Sequence, residues 1–151
     1  MSFYYSVKTS FSSGHFYKNP EWDDQQNLAA FGKCFTPHGH GHDYHAEVQF
    51  KIEASREPQG EYPQDSLLNS LENLVKEICQ KLDHEHLNFR IPFFKKENPT
   101  TENIGRFIGL EINKRFLDQN LKEEILKHSV KISSLQVFEG NLLYSKWNMN
   151  V

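Results

Sequence analysis

The chain has 151 residues, enough for one domain with its own core and too few for two. Hydrophobic residues make up 37% and charged residues 25%, with twelve Phe, so a core can form without disulfide staples. A formal charge of −3 and a pI near 6.2 argue against a nucleic-acid binder working through a broad basic face, and leave room for a local cationic pocket. Two cysteines make no disulfide framework: Cys34 lies in a polar loop rich in Gly and His, Cys79 on a helical stretch. There is no apolar run of about 18 residues, and MSFYYSVKTS lacks the features of a signal peptide. The expectation is a cytoplasmic protein with reduced thiols and no membrane partner.

From the N-terminus, residues 3–15 alternate, with Phe3, Tyr5, Val7, Thr9, Phe11, Ser13 and His15 on one face of a strand. Residues 16–41 read as a long loop, and a loop of that length in a compact domain is usually functional. Alternation resumes over 42–53, where His42, Tyr44, Ala46, Val48, Phe50 and Ile52 share one face and charged or polar residues the other. Pro58, Gly60 and Pro63 break this strand. From Asp65 the period becomes helical, with Leu67, Leu71, Leu74, Val75, Ile78 and Leu82 on one stripe and Asp65 or Ser66 as N-cap. After Pro92 and Pro99 a second helix, capped by Thr100 or Thr101, buries Ile104, Phe107, Ile108 and Ile112. Residues 129–138 and 142–150 read as two strands joined by a tight turn at Gly140-Asn141. The order ββααββ predicts a single α+β domain over 1–151, with an antiparallel four-stranded sheet and two helices on one face. The small sheet leaves open edges, where association between copies is expected.

Six of the eight histidines fall in two short segments: His38, His40, His42 and His45, then His84 and His86. In His40-Gly41-His42 the two imidazoles point to the same face of extended chain, and His15 ends the first strand on its apolar face. If the first two strands form a hairpin, His15 meets His40 and His42. That makes a three-His site of the kind that holds catalytic zinc with one open position. His38, His45 and His86 read as surface or supporting groups. The H-x-H-x-D-H pattern of metallo-β-lactamase-like hydrolases is set aside, because the spacing differs and the chain is short for that fold.

These residues carry a resemblance. F-S-S-G-H at 11–15, C-F-T-P-H-G-H-G-H-D-Y at 34–44, L-D-H-E-H-L at 82–87, P-T-T-E-N at 99–103 and V-F-E-G at 137–140 occur in the order and with the gaps of one family. The chain resembles the 6-pyruvoyltetrahydropterin and 6-carboxytetrahydropterin synthases over nearly its whole length. The resemblance implies the tunnelling fold, Zn2+ on His15, His40 and His42, and 7,8-dihydroneopterin triphosphate as substrate. His38-Gly39-His40 offers a competing register, and His40 with His42 is preferred because the strand pattern resumes at Asp43-Tyr44.

The resemblance further implies Cys34 as the base that removes a carbon-bound proton and the pair Asp83 and His84 as a proton shuttle. Glu139 would grip the cyclic amidine edge of a pterin through two parallel hydrogen bonds, with Thr100, Thr101 and Glu102 lining the same pocket. By themselves Asp83-His84 equally suit a helix end, Cys34 an incidental loop thiol and Glu139 a solvated hairpin residue. Five residues separate Cys34 from His40, the spacing of the pyruvoyl-forming branch; three separate it from His38, the spacing of the carboxy-forming branch that releases acetaldehyde. Pyruvoyl chemistry is the expectation. The alternatives are the carboxy-forming reaction and a non-catalytic zinc- or pterin-binding member. The resemblance also implies a homohexamer of two trimers with sites between subunits.

Overall fold

Two long strands organise the molecule. In the computed structural model, which describes residues 1–54 and 63–149, β1 (Ser2–His15) and β2 (His40–Glu53) form an antiparallel pair from Ser2 opposite Glu53 to His15 opposite His40. Residues of opposite parity therefore share a face on the two strands. Val7, Phe11, Tyr44, Ala46, Val48, Phe50 and Ile52 line the buried face, each no more than 4% exposed. The opposite face is wet and carries the Lys8–Glu47 ion pair (3.5 Å) and the Ser12 Oγ donation to Asp43 Oδ1 (2.6 Å).

Two amphipathic helices cover the buried face. Helix α2 (Asp65–Gln80) turns Leu67, Leu71, Leu74, Val75, Ile78 and Cys79 inward, and α4 (Thr101–Phe116) turns in Ile104, Phe107, Ile108, Ile112 and Phe116. Each such side chain contributes about 1.5–3 kcal/mol of burial. Thr100 caps α4 by accepting from Asn103 N, whereas α2 starts after Gln64 with no side-chain cap, so neither Asp65 nor Ser66 caps it.

The expected four-stranded antiparallel sheet with two helices requires correction. The sheet has five strands in the order β3-β1-β2-β4-β5 and is mixed. Strands β4 (Lys131–Glu139) and β5 (Leu143–Asn148) are antiparallel, joined by a turn with Gly140 at φ 60°, but β3 (Glu85–His86) runs parallel to β1 beside Ser13 and Gly14. Two residues are too short to show a period.

Three further helices were not expected. One is α1 (Asp24–Phe31), followed by a 3₁₀ turn (Gly32–Cys34), within the segment read as loop; its polar sequence shows no apolar stripe. The others are α3 (Leu87–Arg90), a single turn, and α5 (Gln119–Lys127). The break expected around Pro58 and Gly60 lies outside the described residues, as does the end of the last predicted strand. No helix among the described residues is long and apolar enough to cross a membrane.

Candidate metal centre and its surroundings

The pairing of β1 with β2 places three imidazoles together at one end of the sheet. His15 and His40 face each other across the ladder, and His42 follows on the same face. Ring centroids are 4.8 Å apart for His15–His40, 5.1 Å for His15–His42 and 4.7 Å for His40–His42. One ring nitrogen from each lies within 4.8 Å of the other two. His38 is exposed and is not part of this cluster.

The electrostatics suit a cation. His15 is fully buried, and burial, then its neighbours His40, His42 and His86, push its pKa down to about 3. Burial first, then His42, lowers His40 as well. Neutral imidazoles keep a lone pair for a metal. His15 Nε2, His40 Nδ1 and His42 Nε2 are buried without a hydrogen bond among the described residues, although Glu139 Oε1 lies 3.3 Å from His42 Nε2. An orphaned buried nitrogen costs about 1–3 kcal/mol. Three in one place fit a divalent ion that would satisfy them together.

A hydrogen-bond chain orients the centre. The Tyr44 hydroxyl donates to Glu139 Oε2 (3.2 Å) and is shared with His15 Nδ1 (2.8 Å). With its one proton given to the carboxylate, the hydroxyl accepts from His15 Nδ1–H. That tautomer leaves the Nε2 lone pair free toward the cluster. Glu139 Oε1 is also 3.3 Å from His42 Nε2. Tyr17 stacks on His15 with centroids 4.9 Å apart, and burial, then Glu139, Cys34 and Glu102, raise its phenol well above the usual range. Tyr44 and Tyr17 were missed as site residues. Each follows a histidine by two positions in extended or near-extended chain, and that period was the available signal.

The other expected residues divide. Cys34, Glu139 and Glu102 are near enough to Tyr17 to act on its phenol electrostatically, and the Tyr17 backbone N–H donates to the Cys34 carbonyl (2.8 Å). Burial, then Glu139, pushes the Cys34 thiol up, not down. The long connection is held by fully buried Asn27, whose Oδ1 accepts from Asn19 N (2.7 Å) and whose Nδ2 donates to the carbonyls of Asn19, Trp22 and Asp23. Thr101 is buried and its hydroxyl donates to Glu102 Oε2 (3.5 Å), while Thr100 serves as the helix cap.

Asp83 and His84 lie elsewhere. They follow α2, with His84 at φ 57°, and dock on the edge of β1: Ser12 N donates to Asp83 Oδ1 (2.8 Å) and His84 N to the Ser12 carbonyl (2.7 Å). Asp83 Oδ2 bonds His84 Nδ1 (2.8 Å), and the His84 side chain is 84% exposed. The Ser12 hydrogen bond, then that from His84, holds the Asp83 carboxyl below its usual range. His84 lines a cleft of about 510 Å³ together with Ser12, Asp43 and His42, so it shares this space with one member of the histidine cluster. His86 is half-buried and stacks on Phe89 (4.2 Å).

Fold and site define a mixed-sheet α+β protein with a three-histidine cluster that could hold a metal ion, beside a carboxylate. Residues 4–145 match the family model described as 6-pyruvoyl tetrahydropterin synthase, and the chain belongs to that family of lyases. It is 34% identical over 113 residues to 6-pyruvoyl tetrahydrobiopterin synthase of Homo sapiens, covering 72% of this chain and 73% of that one. To the Drosophila melanogaster enzyme of that name it is 31% identical over 125 residues, 83% and 70% of the two chains. Dihydroneopterin monophosphate aldolase of Pyrococcus furiosus is 29% identical over 134 residues, 89% of this chain and 87% of that one. The solved structure of Caenorhabditis elegans 6-pyruvoyl tetrahydropterin synthase superposes with a TM-score of 0.78 at 20% identity, covering 99% of this chain and 97% of that one.

Proposed function

We propose that this protein is a zinc-dependent lyase that converts 7,8-dihydroneopterin triphosphate to 6-pyruvoyltetrahydropterin with loss of triphosphate. The carrying observation is the linkage of Glu139 to the histidine cluster through Tyr44: an acceptor for a cyclic amidine held 3.3 Å from one prospective ligand. His15, His40 and His42 would hold the ion. When bound, it supplies a Lewis acid that makes the substrate's side-chain hydroxyls and their neighbouring protons more acidic. Glu139 orients the pterin by accepting two parallel N–H bonds, with Thr101 and Glu102 on the same side. Thr100 contributes by starting the helix that carries them.

Cys34 takes the carbon-bound proton. Its thiol is raised by burial and Glu139, so it needs the positive charge that the three histidines are arranged to hold. His84, oriented by Asp83, relays protons. Within one chain that pair is docked on Ser12 at the edge of β1, and in the proposed assembly it meets the Cys34 of another copy. Support comes from β5, an outer strand whose Leu143, Tyr144 and Trp147 are exposed beside Leu142. A homohexamer of two trimers, with sites between subunits, is the proposed assembly.

The test is incubation of the zinc-loaded protein with 7,8-dihydroneopterin triphosphate, following triphosphate, pterin product and acetaldehyde. Triphosphate and 6-pyruvoyltetrahydropterin without acetaldehyde support the reading. Acetaldehyde assigns the carboxy-forming reaction instead, and absence of any product refutes both. Cys34→Ala should lower turnover by about 10²–10⁴-fold with zinc content unchanged; unchanged turnover removes Cys34 as the base.

A further inference from the structure

Behind the wall of the metal centre lies a second cleft, of about 1060 Å³, which Thr100 also lines and whose lysines the chemistry above does not use. Its size is at the upper end of small-molecule sites, roughly 300–1,000 Å³. The shared wall is aromatic: Phe31 of α1 lines the cleft and packs edge-on to Tyr17 (6.0 Å), which stacks on His15.

The cleft is cationic in a chain that is not. Acidic residues outnumber basic ones, 20 to 17, yet Lys18, Lys95 and Lys96 line this one space. They come from two segments, the run after β1 and the 3₁₀ turn Pro92–Lys95 with the residue that follows it. None of the three ammonium groups has a carboxylate partner among the described residues, and Lys18 Nζ sits 5.9 Å from the centroid of the Phe35 ring. The one acid lining the cleft, Glu97, is turned to Arg106 (3.5 Å). Two amides reinforce the sign. Asn98 Oδ1 already accepts from Lys18 N (2.9 Å) and Asn19 Oδ1 from Glu21 N (3.0 Å), so what each amide has left to offer is its N–H donors. Unpaired cations with surplus donors and a neutralised acid make a site for an anion of several charges. A single carboxylate or monophosphate would leave part of the set unused.

We propose that this cleft binds the triphosphate chain of the substrate, with Lys18, Lys95 and Lys96 as its counter-charges. It rests on the lyase reading for the identity of the anion. A tail lodged here extends past the Tyr17–Phe31 wall while the pterin end stays at Glu139, so the lysines discriminate phosphorylated from unphosphorylated pterins.

The experiment is calorimetric titration of the zinc-loaded protein with inorganic tripolyphosphate, free of magnesium. It compares wild type, the triple variant Lys18→Ala/Lys95→Ala/Lys96→Ala, its three-arginine counterpart, and a control lacking the helix-surface residues Lys76, Lys114 and Lys122. All six substituted lysines are exposed, and thermal melts check that the variants fold equally. The expected result is tripolyphosphate binding weakened about tenfold or more in the alanine triple, near wild type in the arginine triple and unaffected in the control. In turnover, KM for the pterin triphosphate rises by about the same factor while kcat changes little. Equal weakening in the control, or no tripolyphosphate binding by wild type, overturns the proposal. Binding that depends on the three lysines in a protein that turns nothing over sustains the cleft and refutes the lyase reading. Turnover with KM unchanged in the alanine triple does the reverse.

Discussion

Replacing Tyr44 by Phe removes one oxygen from the centre of the site and leaves its packing in place. The ring is fully buried and stacks on Phe11 with centroids 5.1 Å apart and planes 13° from parallel, contacts that phenylalanine keeps. What disappears is the acceptor for His15 Nδ1 and the donor to Glu139. His15 has no exposure to water, so its Nδ1–H is left unsatisfied at about 1–3 kcal/mol. The tautomer with the proton on Nε2 then becomes competitive, and that tautomer presents no lone pair to the cluster. Loss of an orienting partner behind a metal-binding histidine typically weakens affinity about 10–100-fold. That range corresponds to about 1.4–2.7 kcal/mol, in agreement with the cost of the orphaned nitrogen. Competition against a chromophoric chelator measures zinc affinity in wild type and Tyr44→Phe, and melts of the metal-free proteins report the fold. Affinity within twofold of wild type would show that the hydroxyl does not set the His15 tautomer. The chain Glu139–Tyr44–His15 would then have no functional meaning.

Two further outcomes follow from the same structure. Gly39 has φ 70°, and a Cβ there would overlap the His15 carbonyl oxygen and lie 2.7 Å from His86 Nε2; Gly39→Ala should destabilise by about 2 kcal/mol or more and reduce zinc content, and normal melting with full zinc would refute the close approach. Cys79 is 1% exposed, and burial pushes its thiol up to about 12, against about 8.5 in an unfolded chain. A raised folded pKa gives stability that is whole below the unfolded value and lost as pH rises toward the folded one, here from about 8.5 to about 12, at up to about 1.4 kcal/mol per pH unit. Cys79→Ala lacks this loss, so the stability gap between wild type and variant should narrow with rising pH in urea titrations; a constant gap would refute the assignment.

Much of the site was legible because its elements are periodic. The alternation in residues 3–15 and 42–53 puts His15 and His42 on apolar faces, His40 shares the face of His42 two residues on, and the helical stripes of Leu71, Val75 and Ile78 and of Ile104, Ile108 and Ile112 are the ones buried. Residues 16–39 were less legible. Helix α1 has no apolar stripe to announce it, although Asp23 and Gln26 form a capping box that a search for caps would have found. Strand β3 is two residues of edge pairing and leaves no pattern at all.

Local chemistry, written in short-range spacing, therefore determined which side chains can serve: two histidines two apart entering a strand, a third ending another, an acid before a hairpin glycine. Long-range pairing decided which of them meet. Register across β1 and β2 sets His15 opposite His40 and leaves His38 outside, and the ladder to β4 brings Glu139 under Tyr44. The edge of β1 holds Asp83 and His84 against Ser12. Spacing along a chain specifies the face a residue shares with its neighbours. Which other face it opposes depends on burying both, and that is settled only when the whole sheet closes on its helices.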